Sequence, residues 1–254
     1  MSIVFQIYKS TLLIIFIFLA AHWYLSLFSQ TFFHHRYAAH KMFDMSKTWE
    51  KFFFVFSVIT QGSSYLSPYA YAILHRMHHA YADTEKDPHS PRYDKNLFAM
   101  MWRTKNVYTS IFKGKYPVEE RFTKGVPQWT LMDSIGDAWG TRIFWAACYT
   151  AFYVYFATEW WMFLFLPLHF IMGPAHGVVI NWFAHKYGYV NFKVSDTSKN
   201  LLPVDVLMLG ESYHNNHHKR STSANFGVKW HELDPTYVVI KALHLLHIVR
   251  LKKA

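Results

Sequence analysis

Apolar positions in this chain come in long unbroken runs, not in the alternation of a strand or the single stripe of a surface helix. Thr11–Phe33 is 23 residues without a formal charge, and Trp160–His185 is 26. A helix needs about 20 mostly apolar residues to cross a bilayer core, so these runs point to an integral membrane protein. A third apolar run, Trp139–Thr158, is parted from the last by Glu159 alone. The pattern predicts an all-α membrane protein with about three transmembrane helices, at residues 8–33, 139–158 and 160–184.

Phe52–Leu74 is also 23 residues without charge, but Gln61, Gly62, Ser63, Ser64, Ser67 and Pro68 interrupt it. It is expected to enter and leave on one side, as a re-entrant or interfacial segment over 52–74 that bends between Gly62 and Pro68. Irregular backbone at membrane depth is tolerated where protein buries it. Residues 80–137 and 186–254 are polar and charged, and are expected to form a helical cap. Asp234-Pro235 reads as a helix start, with Asp as the cap and Pro at the first position. Tyr237–Arg250 after it is expected to lie along the membrane as an amphipathic helix. No repeat or linker divides the chain, so one domain over 1–254 is expected.

Charge then orients the protein. The formal net charge is +10, and of 26 Lys and Arg residues only Lys9 falls on the far side of the first run. By the positive-inside rule the cap side is cytoplasmic, in a bacterial cell membrane on this reading. The surplus is thus an orientation signal and implies no nucleic-acid partner. It also favours anionic lipid or an acidic protein partner.

Chemistry is concentrated in three histidine clusters on that side. His35 and His40 follow the first run. His75, His78 and His79 follow the interrupted run, and His214, His217 and His218 lie far downstream. At i, i+3, i+4 spacing three imidazoles share one helix face, and adjacent residues about 100° apart aim at neighbouring points. Two such triplets suggest two metals side by side. His35 and His40, at i, i+5, do not share a face of an α-helix, so the helix is expected to bend or end there. The single cysteine, Cys148, excludes a disulfide framework and a thiolate zinc site.

The boxes His35-Arg36-Tyr37-Ala38-Ala39-His40, His75-Arg76-Met77-His78-His79 and His214-Asn215-Asn216-His217-His218 resemble those of membrane fatty acid desaturases of the acyl-CoA, stearoyl-type delta-9 branch. Asp87-Pro88-His89, Gly210-Glu211 and Asn181-Trp182-Phe183-Ala184-His185 are similar to further elements of that family. The resemblance implies two iron ions, with O2 as co-substrate, held by nine histidines. It assigns one ion to His35, His40, His75, His79 and His218. The other falls to His78, His185, His214 and His217, with Asn181 holding a bound water. His34 matches no ligand of the family. Asp83, Asp87 and Glu211 are candidates to orient the ligands from behind. Ile73-Leu74 departs from the Arg-Asp pair that often precedes the second box in the acyl-CoA branch.

The implied activity is O2-dependent insertion of a cis double bond into a saturated acyl chain. The chain would be carried on CoA, a carrier protein or a lipid, and the aromatics Trp145, Trp182 and Tyr189 are candidates to line its tunnel. No G-x-G-x-x-G fingerprint is present, so electrons are expected from an external ferredoxin- or cytochrome-type donor. Two rival readings use the same residues. A histidine-box hydroxylase would act on a lipid or alkane with the same metals. A metal transporter would place His and carboxylate pairs in mid-span. A structural zinc site needs only four ligands.

Overall fold

The computed structural model describes residues 3–252, with side chains from Ser10 onward; the side chain of Lys9, the charge expected on the far side, lies outside the described residues. α1 (Ile3–Phe28) runs without a break into a π-helix, Ser29–Ala39. Within this run Ser10–Ala39 is, among the described residues, the one helix long and apolar enough by itself to cross a membrane. Its outer face leaves Leu13, Ile17 and Leu25 exposed, as contact with lipid would require.

A short strand β1 (Phe43–Met45) leads into α2 (Lys47–Gln61), which Ser46 caps by accepting from Trp49 N–H. Gly62 ends α2 at φ +52°, and a 3-10 turn at Gly62–Ser64 reverses the chain. α3 (Pro68–Tyr81) then starts with Ser67 as its cap and Pro68 in its first turn, where a missing N–H does no harm. The interrupted run is therefore two helices joined at Gly62–Ser67.

α4 (Leu97–Phe112), α5 (Glu120–Thr123) and α6 (Thr130–Asp137) belong to the polar segment after the second box. α7 (Trp139–Phe156) is one apolar helix. The run after it is not a single rod. Its first part includes α8 (Leu166–Phe170), and its second runs from α9 (Met172–Val178) through a π turn at Val179–Phe183 to α10 (Ala184–Lys186). The parts Trp160–Phe170 and Met172–Lys186 meet at 75°, and qualify as a membrane span only as a bent pair.

α11 (His214–Lys219) carries the third box. α12 (Pro235–Leu245) begins as expected, with Asp234 accepting from Tyr237 N–H at 3.0 Å. It stops at Leu245, short of the expected Arg250. His247 takes φ +58° and the chain turns into β2 (Val249–Leu251), which pairs antiparallel with β1, Asp44 opposite Arg250.

Two apolar clusters place the boxes. Phe32, Phe33, Phe43, Phe53, Phe54, Tyr213, Phe226 and Ile240 pack together, which ties the first box, α2, the approach to the third box and α12 into one core. Ala70, Ile73, Leu74 and Met77 pack against Ile111 and Phe122, which holds α3 to α4 and α5. Ile73, at the departure from the acyl-CoA pattern, is thus a core residue.

Candidate metal centre

The i, i+5 spacing of the first box finds its explanation in the backbone. A π-helix closes i→i+5 hydrogen bonds, and here His40 N–H donates to His35 O at 3.1 Å. Five residues then make one turn, and His35 and His40 emerge on the same side. Arg76, inside the second box, finishes that helix. Its guanidinium donates to Ala39 O at 2.7 Å and Ala38 O at 3.2 Å, and also to Phe122 O and Lys124 O. One side chain thus satisfies the orphan carbonyls at a helix end and fixes the second box against the first.

The structure brings the nine histidines together as two adjoining clusters. His35, His40, His75, His79 and His217 form one; His78, His185, His214 and His218 form the other. Within each, one ring nitrogen or more per residue lies within 4.8 Å of all the others. His78 and His79 go to different clusters, as their 100° offset on α3 predicts. His217 and His218 also part, but in the opposite sense to the one implied by the resemblance. His217 Nε2 stands 3.0 Å from His35 Nε2 and 2.9 Å from His79 Nε2. His218 turns its Nδ1 to Asp196 and lays its ring 4.3 Å from that of His214. The short α11 sets this rotation, and the spacing of the box does not reveal it.

The inward nitrogens are arranged for a cation. His35 Nδ1 is 2.7 Å from Glu211, His78 Nδ1 2.9 Å from Asp87 and His218 Nδ1 2.9 Å from Asp196. Asp87 and Asp196 accept from Nδ1–H of His78 and His218, which leaves each Nε2 free to point its lone pair inward. His78 Nε2 and His218 Nε2 are accordingly buried without a hydrogen-bond partner. His40 Nε2 and His75 Nε2 are 2.8 Å apart, and His185 Nε2 and His214 Nε2 3.0 Å. Two ligands at right angles on one ion, with bonds of about 2.1 Å, stand about 3.0 Å apart. A single pair at that separation could equally share one N–H···N hydrogen bond, but five and four nitrogens converge in the two clusters, more than pairwise hydrogen bonds join, so the residues present fit two metal ions. Nitrogen ligands of this kind suit iron among other transition metals.

Burial keeps these ligands in the form that binds. It pushes His78 down to about 3, with the neighbouring His218 adding to the effect. His40, His75, His79, His214 and His217 are held well below the usual imidazole value, first by burial and then by the other imidazoles around them. Burial alone would raise Glu211. The neighbouring His35 ring, the Arg36 guanidinium and the hydrogen bond from Thr31 outweigh it and hold the carboxyl below its usual value.

The remaining candidates divide. Asp87 and Glu211 touch ligand imidazoles directly. Asp83 does not; it accepts from Ser90 Oγ and from Thr197 N–H, both at 2.6 Å, and so holds backbone around the site. Asn181 sits on the π turn and lines the cavities beside the histidines. His34 Nδ1 lies 2.9 Å from Ser29 O, its Nε2 lies 2.9 Å from Leu66 O and 3.2 Å from the Gln61 amide, and it belongs to neither cluster. Sequence reasoning missed Asp196 and Thr197, whose Oγ1 lies 3.2 Å from His185 Nδ1. It also left out His89, buried against His78 with ring centroids 4.1 Å apart. His89 had a signal, the Asp87-Pro88-His89 element; Asp196 lies in a polar stretch with no periodic relation to any box.

A cavity of about 680 Å³ reaches the histidines, where His75, His89 and Asn181 form its wall, and extends between α3, α4, α7 and α9. Its aromatic lining is Tyr65, Tyr71, Tyr108, Trp139 and Phe170, and not the Trp145, Trp182 and Tyr189 expected from the sequence. A smaller space of about 50 Å³, lined by His35, His214, Glu211 and Gln30, shares Tyr71, His75 and Asn181 with it.

Residues 9–250 match the fatty acid desaturase family. A delta-9 desaturase-like 5 protein of Arabidopsis thaliana is 30% identical over 230 residues, covering 86% of this chain and 70% of its own length. An sn-1 stearoyl-lipid 9-desaturase of Synechocystis sp. is 29% identical over 226 residues, covering 85% and 64%. An acyl-CoA 5-desaturase of Anemone leveillei is 30% identical over 230 residues, covering 86% and 65%. This chain therefore spans about two thirds of the length of such relatives, and its own histidine boxes fall inside the matched region. The chain belongs to the fatty acid desaturase family.

Proposed function

We propose that the protein is an O2-dependent fatty acyl desaturase that uses two irons and external electrons to place a cis double bond in a saturated chain. The observation that carries this reading is the meeting of nine inward-facing imidazoles with the wall of a largely apolar 680 Å³ cavity. Family membership already makes the protein an oxidoreductase of fatty acids; the names of its relatives support an acyl substrate.

Iron held by the two clusters, one ion in each, would supply O2 activation and the removal of hydrogen from two adjacent methylenes. One O2, two external electrons and two protons then yield two waters. The chain's own residues do the rest. His75, Asn181 and Tyr71 form the wall where an acyl chain would pass the metals. Burial holds the box imidazoles toward the neutral form, and Asp87, Asp196 and Glu211 aim three of them from behind. In the family-based reading Asn181 adds a water to the second ion.

The protein is read as a membrane enzyme with crossings near 8–33, 139–158 and 160–184, the α2–α3 pair re-entrant, and the metal site on the cytoplasmic side. Exposed Ile143, Phe144, Val154 and Tyr155 on α7 support lipid contact there. The basic cap suits an acidic ferredoxin or cytochrome, and turnover is expected to fall as salt screens that contact. Relatives named for lipid and for CoA substrates both occur, so the acyl carrier is read from turnover of acyl-CoA against acyl-lipid by the purified protein.

The test is expression in a host that lacks the activity, followed by analysis of fatty acid methyl esters from wild-type and His78→Ala strains. A new monounsaturated acid only in the wild type is expected. A hydroxylated acid in its place would make the protein a hydroxylase, and a purified protein without iron would overturn the metal assignment.

A further inference from the structure

The nine histidines come from three boxes and the end of α10, yet the four-histidine cluster is also braced by a segment outside all of them. Residues 189–200 form a closed loop: Tyr189 N–H donates to Asn200 O at 2.9 Å, and Asn200 N–H donates back to Tyr189 O at 2.7 Å. The loop is pinned from inside by Asn215 of the third box. Asn215 Oδ1 accepts from Asn191 N–H and Phe192 N–H, both at 2.9 Å, and its Nδ2 donates to Phe192 O and Ser198 O. Asn216 accepts from the amides of Asn191 and Asn200 at 2.8 and 3.0 Å. The Asn-Asn filling of the box thus fixes this loop against α11.

So held, the loop presents two consecutive side chains to two ligands of the same cluster. Asp196 Oδ2 takes His218 Nδ1–H at 2.9 Å, and Thr197 Oγ1 lies 3.2 Å from His185 Nδ1. Thr197 N–H is tied in turn to Asp83 Oδ2. Neither side chain reaches the five-histidine cluster, where the corresponding carboxylate is Glu211 on His35. Among the described residues Asp196 is the hydrogen-bond partner of His218 Nδ1, and His218 Nε2 is buried and unpartnered.

We infer that Asp196 is a positioning residue for the four-histidine subsite alone, so that the two ions sit in sites that can be emptied separately. The inference rests on the two-iron reading above. Removing the carboxylate frees His218 to rotate and to take the other tautomer, which turns its lone pair away from the ion. Loss of such a ligand-orienting partner weakens metal affinity about 10- to 100-fold. The other subsite keeps its ligands and its own carboxylate.

The experiment is ferrous-iron loading of the full-length protein in detergent, followed by iron counting and Mössbauer spectroscopy. Asp196→Ala is expected to hold half the iron of the wild type. The signature of a magnetically coupled pair should give way to that of an isolated ion. Asp196→Asn, which keeps an acceptor oxygen, should retain part of the lost iron. Glu211→Gln should leave the complementary spectrum, that of the four-histidine ion. Should Asp196→Ala not accumulate, Thr197→Val decides by the same count, because it loosens His185 of the same subsite. If Asp196→Ala keeps both ions with an unchanged spectrum, or loses both together, this inference falls while the two-iron reading stands. If the wild type itself binds no iron, both fall.

Discussion

Arg36 shows how much one side chain outside the ligand set contributes. It is fully buried, pairs with both carboxylate oxygens of Asp234 at 2.9 and 3.1 Å, and lies 4.0 Å over the Phe226 ring. It also stands 3.9 Å from Glu211, the carboxylate behind His35. Removing one partner of a buried pair leaves an uncompensated charge, which costs about 3–5 kcal/mol. Arg36→Met is therefore expected to lower the unfolding free energy by about that much, measured by denaturation in detergent. The double variant Arg36→Met, Asp234→Leu should recover part of the loss; a double variant worse than the sum of the singles would contradict the ion-pair account. His34 gives the opposite prediction. Its Nδ1 faces Ser29 O and its Nε2 the Leu66 carbonyl and the Gln61 amide, so neither points at a cluster; His34→Gln should therefore keep the full iron content, whereas His75→Gln should not. Iron counting on the two purified variants separates ligand from bystander.

At the scale of elements, two local departures from the α-helix build the site. The π-helix Ser29–Ala39 converts an i, i+5 pair into neighbours, and the turn at Gly62 sends the chain back toward the first box. Gly62 takes φ +52° and sits where an added Cβ would fall 1.8 Å from Tyr149 Oη. Gly62→Ala is expected to cost about 1–3 kcal/mol from backbone strain alone, with more from displacing Tyr149. A thermal melt of that variant equal to wild type would show that α2 and α7 separate easily at this point. The bent pair after α7 belongs to the same scale. A 75° break between Phe170 and Met172 brings α9 against the cavity, so that Gly173, Gly177 and Asn181 line it. A straight 26-residue helix would have carried them past it.

Over the whole molecule, the number of buried neutral imidazoles governs the response to acid. A histidine whose folded pKa lies below its unfolded value binds fewer protons folded than unfolded between the two values. Stability then rises with pH through that window and is lost as pH falls. For His78 the window runs from the ordinary value of 6.5 down to about 3. His34, His40, His75, His79, His89, His214 and His217 shift in the same direction outside the apolar runs, so their effects add. The metal-free protein is expected to melt at progressively lower temperature as pH falls below about 6.5. The iron-loaded protein should release metal over the same limb, since protons and metal compete for the same nitrogens. A melting temperature that is flat between about pH 7 and pH 5 would rule out a set of buried neutral histidines.

Composition and spacing were enough to reveal the helical class, the three boxes, the separation of His78 from His79, and Asp87 and Glu211 as partners of ligands. The class and the parting of His78 from His79 follow from helix periodicity and from the apolar length a bilayer requires, both of which are local; Asp87 and Glu211 are candidates by their place in elements that resemble the family's. The assignment of His217 and His218, the π geometry of the first box, the break at Ile171 and the end of α12 at Leu245 were decided by tertiary structure. So was Asp196, which reaches His218 across 22 positions of sequence through a loop closed by Asn200 and pinned by Asn215. Each depends on where one element meets another: a rotation of α11, a hydrogen bond from Arg76, a glycine under Tyr149. Periodicity describes which residues share a face, and only packing decides what that face meets.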